Sequence, residues 1–385
     1  STRKLASMAT LYNAEEADVI CAGASARSLA FSCLRAGLRP VTCDLFYDSD
    51  LAARCPGTRI AADTWPEGIL GALEQLPPLP VIYSGGLENH PDLISRIENR
   101  HEILGNGSAV LARALDPSAL NGCLARAGLT VAEIRQAGEE APGESGWLSK
   151  PIRSGGGIGI EAASKATTSE GRYLQRFVDG VPASALFIAS ENEPSKRSLL
   201  LGTTEQLIGE SWLGAAGFTY CGNLGPLELE DEALRQVVLA GEAVGGEFSL
   251  RGLFGLDFIL SPGGPVFIEL NPRYTGSVEV IEKCCGFETI PQHVSACRNG
   301  ELPSIALPPS RACAKAILFA ETPVALSASP ALVEEIAATV ADIPAIGETI
   351  EPGSPLLTVL TEGSDLANCE ANLVRLAREA RALFE

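Results

Sequence analysis

Two apolar runs in the middle of the chain flank a short turn and predict a β-hairpin. They lie within Arg251–Glu279, on either side of Ser261-Pro262-Gly263-Gly264. Proline sets φ for the first corner of a turn and glycine accepts a left-handed corner, so we expect a three-residue loop, Pro262–Gly264. With that loop length, Ser261 lies opposite Pro265.

This register predicts which side chains share a face of the hairpin. Because side chains alternate along a strand, the apolar face would hold Leu256, Phe258, Leu260, Val266, Ile268 and Leu270. The other face would bring Asp257 opposite Glu269, with Asn271 beside them and Arg273 two residues further along. Two carboxylates and an amide oxygen are ligands of the kind that Mg²⁺ takes.

A simpler interpretation is an amphipathic hairpin whose acids are solvated. It suits Asp257 better than Glu269, because an acid within F-I-E-L lies among residues that are normally buried. A loop of even length would put the two acids on opposite faces. The spacing alone leaves both interpretations open.

Alternation near the N-terminus predicts a βαβ unit. Ala17–Ile20 form the first strand, Arg27–Ala36 form a helix that stops at Gly37, and Pro40–Asp44 form the second strand. Only Gly23 stands where the G-x-G-x-x-G fingerprint requires three glycines. The pattern therefore predicts a Rossmann-like fold but does not favour a dinucleotide site.

A further apolar strand, Val81–Gly86, ends in polar residues. Ligands bind at strand ends in α/β sheets, which makes Gly85, Glu88 and Asn89 candidates for contact with a substrate. A helix that begins near Asn89 would explain the same residues without any ligand.

Trp147–Ile160 combine a short strand ending in Lys150 with a glycine-rich segment, K-P-I-R-S-G-G-G-I-G. A cation and free backbone N–H groups in this order can hold a triphosphate. A flexible hairpin loop is the alternative. Further along, Ala312–Phe319 read as a strand and Ala367–Phe384 as an amphipathic helix.

Charge and composition narrow the classes of partner. The 385 residues carry a formal charge of −19, whereas nucleic acids and anionic membranes attract basic surfaces. No apolar run reaches the roughly 18 residues of a membrane span, and the first ten residues lack the apolar core of a signal peptide. Eleven cysteines without C-x-x-C spacing are typical of reduced thiols. We expect a cytoplasmic protein that binds neither nucleic acid nor membranes.

Four segments in this order resemble the ATP-grasp superfamily: K-P-I-R-S-G-G-G-I-G, Q-R-F-V-D-G, D-F-I-L and F-I-E-L-N-P-R. In that superfamily a lysine and a mobile glycine loop hold ATP, a hinge strand reads adenine, and an acid with an E-x-N pair holds Mg²⁺. The C-terminal D-I-P and G-S-P-L-L-T-V segments are similar to the biotin-carboxylase-related branch of ATP-dependent carboxylate–amine ligases.

The resemblance implies roles for individual residues. ATP would contact Lys150, Ser154, Gly155, Gly156, Gly157, Gln175, Arg176, Phe177, Val178 and Asp179. Mg²⁺, or Mn²⁺ in its place, would bind Asp257, Glu269 and Asn271. The catalytic residues would be Arg273, Arg251 and Lys150. The substrate would contact Gly85, Glu88, Asn89, Arg273 and Tyr274.

The sequence departs from the family pattern at two points. The first phosphate-binding lysine is absent, and Arg113 is the nearest cation to its position. No acid stands where the family usually holds the ribose hydroxyls, and Asp179 is a poor substitute.

An α/β protein with the ATP-grasp fold is therefore expected. Residues 1–110 would form a Rossmann-like pre-ATP-grasp domain and residues 111–185 the small lobe. Residues 186–310 would form the large lobe with the metal site, and residues 311–385 a β-rich extension packed on the core. A homodimer is expected on general grounds.

The chemistry that the resemblance implies is phosphorylation of a carboxylate by MgATP, followed by attack of an amine on the acyl phosphate. We therefore expect a carbon–nitrogen ligase for small-molecule carboxylate and amine substrates, with amino-acid addition in cofactor biosynthesis as one setting. Two other classes stay open: a bicarbonate-using carboxylase and a non-catalytic ATP-binding regulatory protein.

Overall fold

The N-terminal part of the chain is built on a parallel sheet, as the βαβ pattern predicts. Its strands follow the order β3-β2-β1-β4, with β1 at Val19–Gly23, β2 at Pro40–Asp44, β3 at Gly57–Arg59 and β4 at Val81–Tyr83. The associated helices are α1 at Arg27–Arg35, α2 at Ser49–Ala52, α3 at Gly68–Glu74 and α4 at Pro91–Glu98. The carboxyl ends of β1, β2 and β4 meet at one edge, where they can line a ligand site.

The structure is a computed structural model, and it describes residues 12–137, 139, 146–163, 170–191, 196–304, 310–326 and 339–384. Two helices, α5 at Ser108–Ala114 and α6 at Pro117–Arg126, lead into the next part of the chain. Asp116 caps α6 through a hydrogen bond from the Ser118 backbone N–H, and Pro117 takes the first helical position.

A small antiparallel sheet follows, in the order β5-β8-β6-β7. The strands are β5 at Ile134–Arg135, β6 at Trp147–Pro151, β7 at Glu161–Ala163 and β8 at Arg172–Arg176. This sheet carries Lys150 on β6 and the predicted adenine-binding segment at the end of β8.

The centre of the molecule is an eight-stranded antiparallel sheet in the order β13-β12-β9-β10-β11-β14-β18-β16. Its strands are β9 at Val181–Ala189, β10 at Ser198–Ile208, β11 at Tyr220–Gly225, β12 at Gly252–Ser261, β13 at Gly264–Asn271, β14 at Ala312–Phe319, β16 at Val340–Ala341 and β18 at Pro355–Gly363. A separate pair joins β15 at Val324–Ala325 to β17 at Thr349–Ile350. The remaining helices are α7 at Asp231–Phe248, α8 at Ser277–Cys285, α9 at Thr289–Arg298 and α10 at Leu366–Arg381.

Helix α7 covers one face of the central sheet. Its buried apolar positions recur at helical spacing, at Ala233, Val237, Ala240, Val244 and Phe248. They pack on β9, β12 and β13, where Phe187 and Phe254 stack with ring centroids 5.0 Å apart. Part of the opposite face lines a cleft.

The structure changes the expected division into parts. The boundaries proposed after residues 110 and 185 fall within α5 and β9. The C-terminal segment was expected to be an extension packed on the core. It instead contributes β14, β16 and β18 to the central sheet itself. Among the described residues, no helix combines the length and the apolar character that a membrane span needs.

Candidate active site

The hairpin formed by β12 and β13 differs from the prediction in its turn. Ser261 pairs with Gly264, so the loop is the two residues Pro262 and Gly263, and the predicted three-residue loop is wrong. A two-residue loop alone would have separated the acids. One extra residue, Ile268, forms a β-bulge and shifts the register back.

The bulge restores the pairing that matters for the site. Asp257 lies opposite Glu269, as the sequence analysis predicts. Asn271 follows two residues later on the same strand.

The predicted apolar face is only partly right. Leu256 pairs with Leu270 as expected, but Phe258 faces Phe267, and the two rings lie 5.9 Å apart. Ile268 lines the cleft instead of the apolar face. Val266 pairs with Ile259 and so also leaves the predicted face.

Asp257, Glu269 and Asn271 line a cleft of about 1180 Å³ between the central sheet, the small lobe and the N-terminal domain. The Asn271 amide donates a hydrogen bond to Asp257 Oδ2 at 3.0 Å. Burial, followed by the nearby charge of Glu269, raises the pKa of Asp257 to about 6. The protein thus brings two carboxylates close together.

This group fits a hard divalent cation. It offers two carboxylates and one amide oxygen, which are the donors that Mg²⁺ prefers. Within the described residues, no three Asp, Glu, His or Cys side chains could hold a metal ion on their own. The remaining ligands would be water and phosphate oxygens.

Lys150 joins this group from the small lobe. Its buried ammonium donates to Gln175 Oε1 at 3.1 Å and lies 3.8 Å from Glu269 Oε2. Burial by itself would lower the pKa of Lys150, but Tyr173 and Glu269 outweigh it and the pKa is raised. The amine is therefore a fixed cation beside the carboxylates.

The glycine-rich loop closes over the same cleft, where Ser154, Gly155, Gly156 and Gly157 are lining residues. The Tyr220 backbone N–H donates to the Gly156 carbonyl at 3.0 Å. Gly157 has a φ of +77°, and a Cβ there would lie 1.8 Å from the Phe218 carbonyl oxygen. Only glycine allows this approach of loop to sheet.

The segment after β8 lies partly in the cleft. Gln175, Arg176, Phe177 and Val178 line it, and Phe177 is 45% exposed. The Phe177 N–H is already bonded to the Gly146 carbonyl, whereas the Val178 N–H has no acceptor in the described part of the chain. Asp179 is not among the lining residues, so its predicted nucleotide contact is not supported.

The substrate candidates gather around Arg273. Its Nε donates to Glu88 Oε1 at 2.6 Å and its Nη2 to Asn271 Oδ1 at 3.0 Å. Burial alone would lower the pKa of Arg273, but the charge of Glu88 raises it. Gly85, Asn89 and Tyr274 line the cleft nearby.

One carboxylate oxygen of Glu88 lacks a hydrogen-bond partner among the described residues, and Glu88 lines a small cavity with Glu269 and Asn271. Its Oε1 accepts from Arg273, while Oε2 is buried without a hydrogen-bond partner among the residues described. Glu88 lines a small cavity of about 60 Å³ together with Lys150, Glu269 and Asn271. A buried carboxylate oxygen of this kind can accept a hydrogen bond from a ligand.

Comparison with known proteins agrees with this geometry. Residues 120–277 match the family described as "ATP-grasp domain". This stretch of the chain is similar to ATP-grasp domains. A 150-residue segment is 29% identical to an uncharacterized protein of Methanocaldococcus jannaschii. That match covers 37% of this chain and only 34% of the relative.

Solved structures share the ATP-grasp fold over nearly the whole chain. A biotin carboxylase–ATP complex from Campylobacter jejuni has a TM-score of 0.68 at 14% identity, covering 94% of this chain and 91% of the other. An L-amino acid ligase from Bacillus licheniformis has a TM-score of 0.64 at 14% identity, with 94% and 97% covered. N5-carboxyaminoimidazole synthase from Aspergillus clavatus, bound to ADP and 5-aminoimidazole ribonucleotide, has a TM-score of 0.67 at 12% identity, with 95% and 100% covered. At these identities the likeness shows the fold.

Two residues named from the ATP-grasp resemblance lie elsewhere. Arg251 pairs with Glu191 at 3.6 Å and does not line the cleft. It precedes Asp257 by six residues on an extended strand, a separation of about 20 Å. Arg113 donates to the Glu247 carbonyl at 2.8 Å, so it does not replace the missing phosphate-binding lysine.

The structure also brings to the cleft four residues that the sequence analysis missed. Arg27, Asp48, Lys315 and Asp342 all line the cleft. They come from widely separated segments, so no local motif unites them. One signal was present: Lys315 interrupts an otherwise apolar strand, and a charge in such a run needs a partner.

Proposed function

We propose that the protein is an ATP- and Mg²⁺-dependent ligase that activates a carboxylate as an acyl phosphate for attack by an amine. The observation that carries the proposal is the meeting of Asp257, Glu269, Asn271, Lys150 and Arg273 in one cleft with a glycine-rich loop. The cleft of about 1180 Å³ exceeds the usual size for a single small ligand. It therefore has room for a nucleotide and a second substrate.

The nucleotide end is formed by the small lobe and the hairpin. Lys150 would neutralise phosphate charge, and the Val178 N–H offers a donor at the adenine end. Ser154–Gly157 would cover the phosphates. Mg²⁺ on Asp257, Glu269 and Asn271 would supply charge neutralisation at the phosphate oxygens, which is the main need of phosphoryl transfer.

Arg273 is placed to hold the acceptor carboxylate. A guanidinium has five N–H donors, and Arg273 uses three of them, toward Glu88, Asn271 and the Tyr274 carbonyl. One donor remains on each terminal nitrogen, which allows a two-point contact with a carboxylate or with the acyl phosphate. Glu88 would hold the guanidinium in that position.

Known relatives of the fold support this class of reaction. The structures that share it include an L-amino acid ligase and an N5-carboxyaminoimidazole synthase. Both names denote enzymes that form bonds to nitrogen. The substrate of this chain is not given by that likeness.

The test is ADP release from ATP with Mg²⁺ and a panel of carboxylates and amines, with bicarbonate included. We expect Glu269→Gln to fold normally and to lose at least about 100-fold in turnover, since even outer-shell partners of a metal contribute 10–100-fold. Glu370→Gln, on the exposed face of α10, is the matched control. Unchanged turnover in Glu269→Gln would contradict the proposal.

A further inference from the structure

The cleft continues well beyond the group around Asp257. Lys315 and Asp48 line another part of it. Lys315 lies on β14, four strands away from β12 in the central sheet. Asp48 belongs to the N-terminal domain, just before α2. The two side chains thus approach the cleft from different parts of the molecule.

Lys315 is a buried cation with unused hydrogen-bonding capacity. It is 6% exposed, and its one ionic partner in the described part of the chain is Glu279 Oε2 at 3.8 Å. Both oxygens of Glu279 already accept from Arg27, at 2.5 and 3.1 Å. An ammonium has three donors, so most of the capacity of Lys315 is left for something in the cleft.

Arg27 is not available in the same way. Besides Glu279, it donates to both oxygens of Asp342 at 2.9 and 3.1 Å, and Asp342 also accepts from the Thr358 hydroxyl at 2.6 Å. These side chains therefore satisfy one another's hydrogen-bonding groups. The charges of Arg27 and Asp342 act on the pKa of both Asp48 and Lys315.

Asp48 is a carboxylate without a partner. It takes the N-cap position of α2, where an aspartate normally accepts from the first backbone N–H groups of the helix, but its side chain makes no capping bond. It forms no hydrogen bond or ion pair with any described residue. Nearby, Asp50 accepts from the backbone N–H groups of Asp342 and Ile343, at 3.1 and 3.0 Å. Asp48 instead faces the cleft.

The electrostatics of Asp48 agree with an absent cationic partner. Burial, followed by repulsion from Asp342, Asp50 and Asp44, raises the pKa of Asp48 to about 8. Arg59, the nearest exposed cation of this wall, is paired with Glu348. A positive group placed against Asp48 would stabilise its carboxylate form.

We propose that this end of the cleft binds a ligand carrying both an ammonium and a carboxylate, such as a free amino acid, with the carboxylate on Lys315 and the ammonium on Asp48. Lys315 and Asp48 do not pair with each other, so each stays available for a group of the ligand. A zwitterion also adds no net charge to the cleft. This inference rests on the proposed function, since the amino acid would be one of the two substrates.

The experiment is titration calorimetry of the full chain with the twenty L-amino acids, β-alanine and 4-aminobutanoate. Each amino acid that binds is compared with its N-acetyl and amide derivatives. We expect at least one to bind, and both derivatives to bind at least about 10-fold more weakly, because each loses a charge-assisted contact. Equal binding of the derivatives, or no binding by any member of the panel, would overturn the proposal.

Variants assign the two contacts. Asp48→Asn should bind the free amino acid no more tightly than its N-acetyl derivative. Lys315→Met should bind the free amino acid no more tightly than its amide derivative. Asp63→Asn and Lys196→Met, at exposed positions outside the cleft, should keep both preferences. Preserved preferences in the two cleft variants would contradict the assignment. If Lys315→Met fails to fold, the comparison of derivatives on the unaltered chain still decides the question.

Failure of this inference can be told apart from failure of the proposed function. Mg²⁺-dependent ADP release with a carboxylate that has no ammonium group, without amino-acid binding here, would leave the ligase proposal standing and overturn this one. Amino-acid binding without MgATP binding would leave the amino-acid site standing and overturn the ligase proposal.

Discussion

Arg273 owes its position to two side chains from different parts of the molecule, Glu88 and Asn271. Glu88 comes from the N-terminal domain, whereas Asn271 and Arg273 belong to the hairpin end. The contact therefore ties the proposed carboxylate-binding arginine to the N-terminal domain. It makes the orientation of Arg273 depend on a residue far away in sequence.

Replacing Glu88 with Gln should slow turnover by at least about 10-fold and leave the KM for ATP unchanged. The amide keeps the shape but removes the charge that holds Arg273, and outer-shell changes of this kind commonly cost that much. Steady-state kinetics with varied ATP checks the expectation. Glu102→Gln, in an exposed ion pair with Arg298, is the control, and equal kcat in both variants would contradict the role of Glu88.

Gly157→Ala should raise the KM for ATP by about 10-fold and also lower stability by at least about 1–2 kcal/mol. A left-handed backbone costs an alanine about 1–2 kcal/mol, and the new Cβ would lie 1.8 Å from the Phe218 carbonyl oxygen. Gly155→Ala in the same loop should lose less, since its Cβ would meet nothing within 4 Å. The order of the two effects is read from ATP titrations, and a reversed order would rule out this explanation.

At the scale of single residues, the sequence predicts the pairing of Asp257 with Glu269. It does not predict the loop length and the bulge that produce this pairing. The predicted three-residue loop was wrong, and the unpredicted bulge at Ile268 compensates for it. A bulge depends on what the neighbouring strand and the cleft accept, and the alternation of F-I-E-L does not show it. Arg251 was misplaced because proximity in sequence to the hairpin does not place a residue in the cleft.

At the scale of secondary-structure elements, His293 on helix α9 forms a hydrogen bond with β12. His293 Nδ1 accepts from the Leu253 N–H at 2.9 Å, and its Nε2 donates to the Leu104 carbonyl at 3.0 Å. Burial lowers the pKa of His293 to about 4. The folded protein therefore holds the imidazole neutral, while the unfolded chain takes up a proton near the ordinary pKa of about 6.5.

This difference predicts a loss of stability as the pH falls from above 6.5 toward 4. Between these values the unfolded state binds the extra proton, so the free energy of unfolding should drop by about 2 kcal/mol from pH 8 to pH 5 through His293 alone. Urea unfolding at the two pH values measures it. His293→Asn should be less stable at pH 8 and lack this part of the pH dependence. If the free energy of unfolding of His293→Asn falls by the same amount between pH 8 and pH 5, groups other than His293 cause the effect.

Sequence patterns predict the elements better than their partners. Ala312–Phe319 was predicted as a strand and is β14, and the closing helix lies at Leu366–Arg381, close to the predicted span. Their membership in the central sheet was not predicted. β14 pairs with β11, about ninety residues earlier, and such long-range pairing leaves no trace in local periodicity.

For the whole molecule, Arg27 is the side chain that connects the most distant parts. It extends from α1 of the N-terminal domain to Glu279 on α8 and to Asp342 in the C-terminal segment. Removing it would leave two buried carboxylates with Lys315 as their remaining nearby cation. Uncompensated buried charge is among the costliest changes in a fold.

Arg27→Met should therefore lower the free energy of unfolding by about 3–5 kcal/mol. The matched control is Arg39→Met, which breaks the exposed pair with Asp18 and should cost far less. Denaturant unfolding of the two variants gives the comparison. Similar stabilities would show that the Arg27 network does not join the three parts energetically.

The charge of the whole chain, −19, contrasts with the local cations of the cleft. Lys150, Arg273 and Lys315 are each buried among acids that hold them in place. The negative net charge disfavours a nucleic-acid surface of the usual basic kind, yet it says nothing of these few fixed cations. The function we propose depends on them and on the carboxylates beside them.

The most direct test of that function is to trap the acyl phosphate. The protein is incubated with MgATP, pooled carboxylates and hydroxylamine, and hydroxamate is measured together with ADP. We predict hydroxamate in equal amount to ADP in at least one pool, and neither product with Glu269→Gln. ADP released with phosphate but without hydroxamate in every pool, or no MgATP binding at all, would contradict the proposal that this cleft activates a carboxylate.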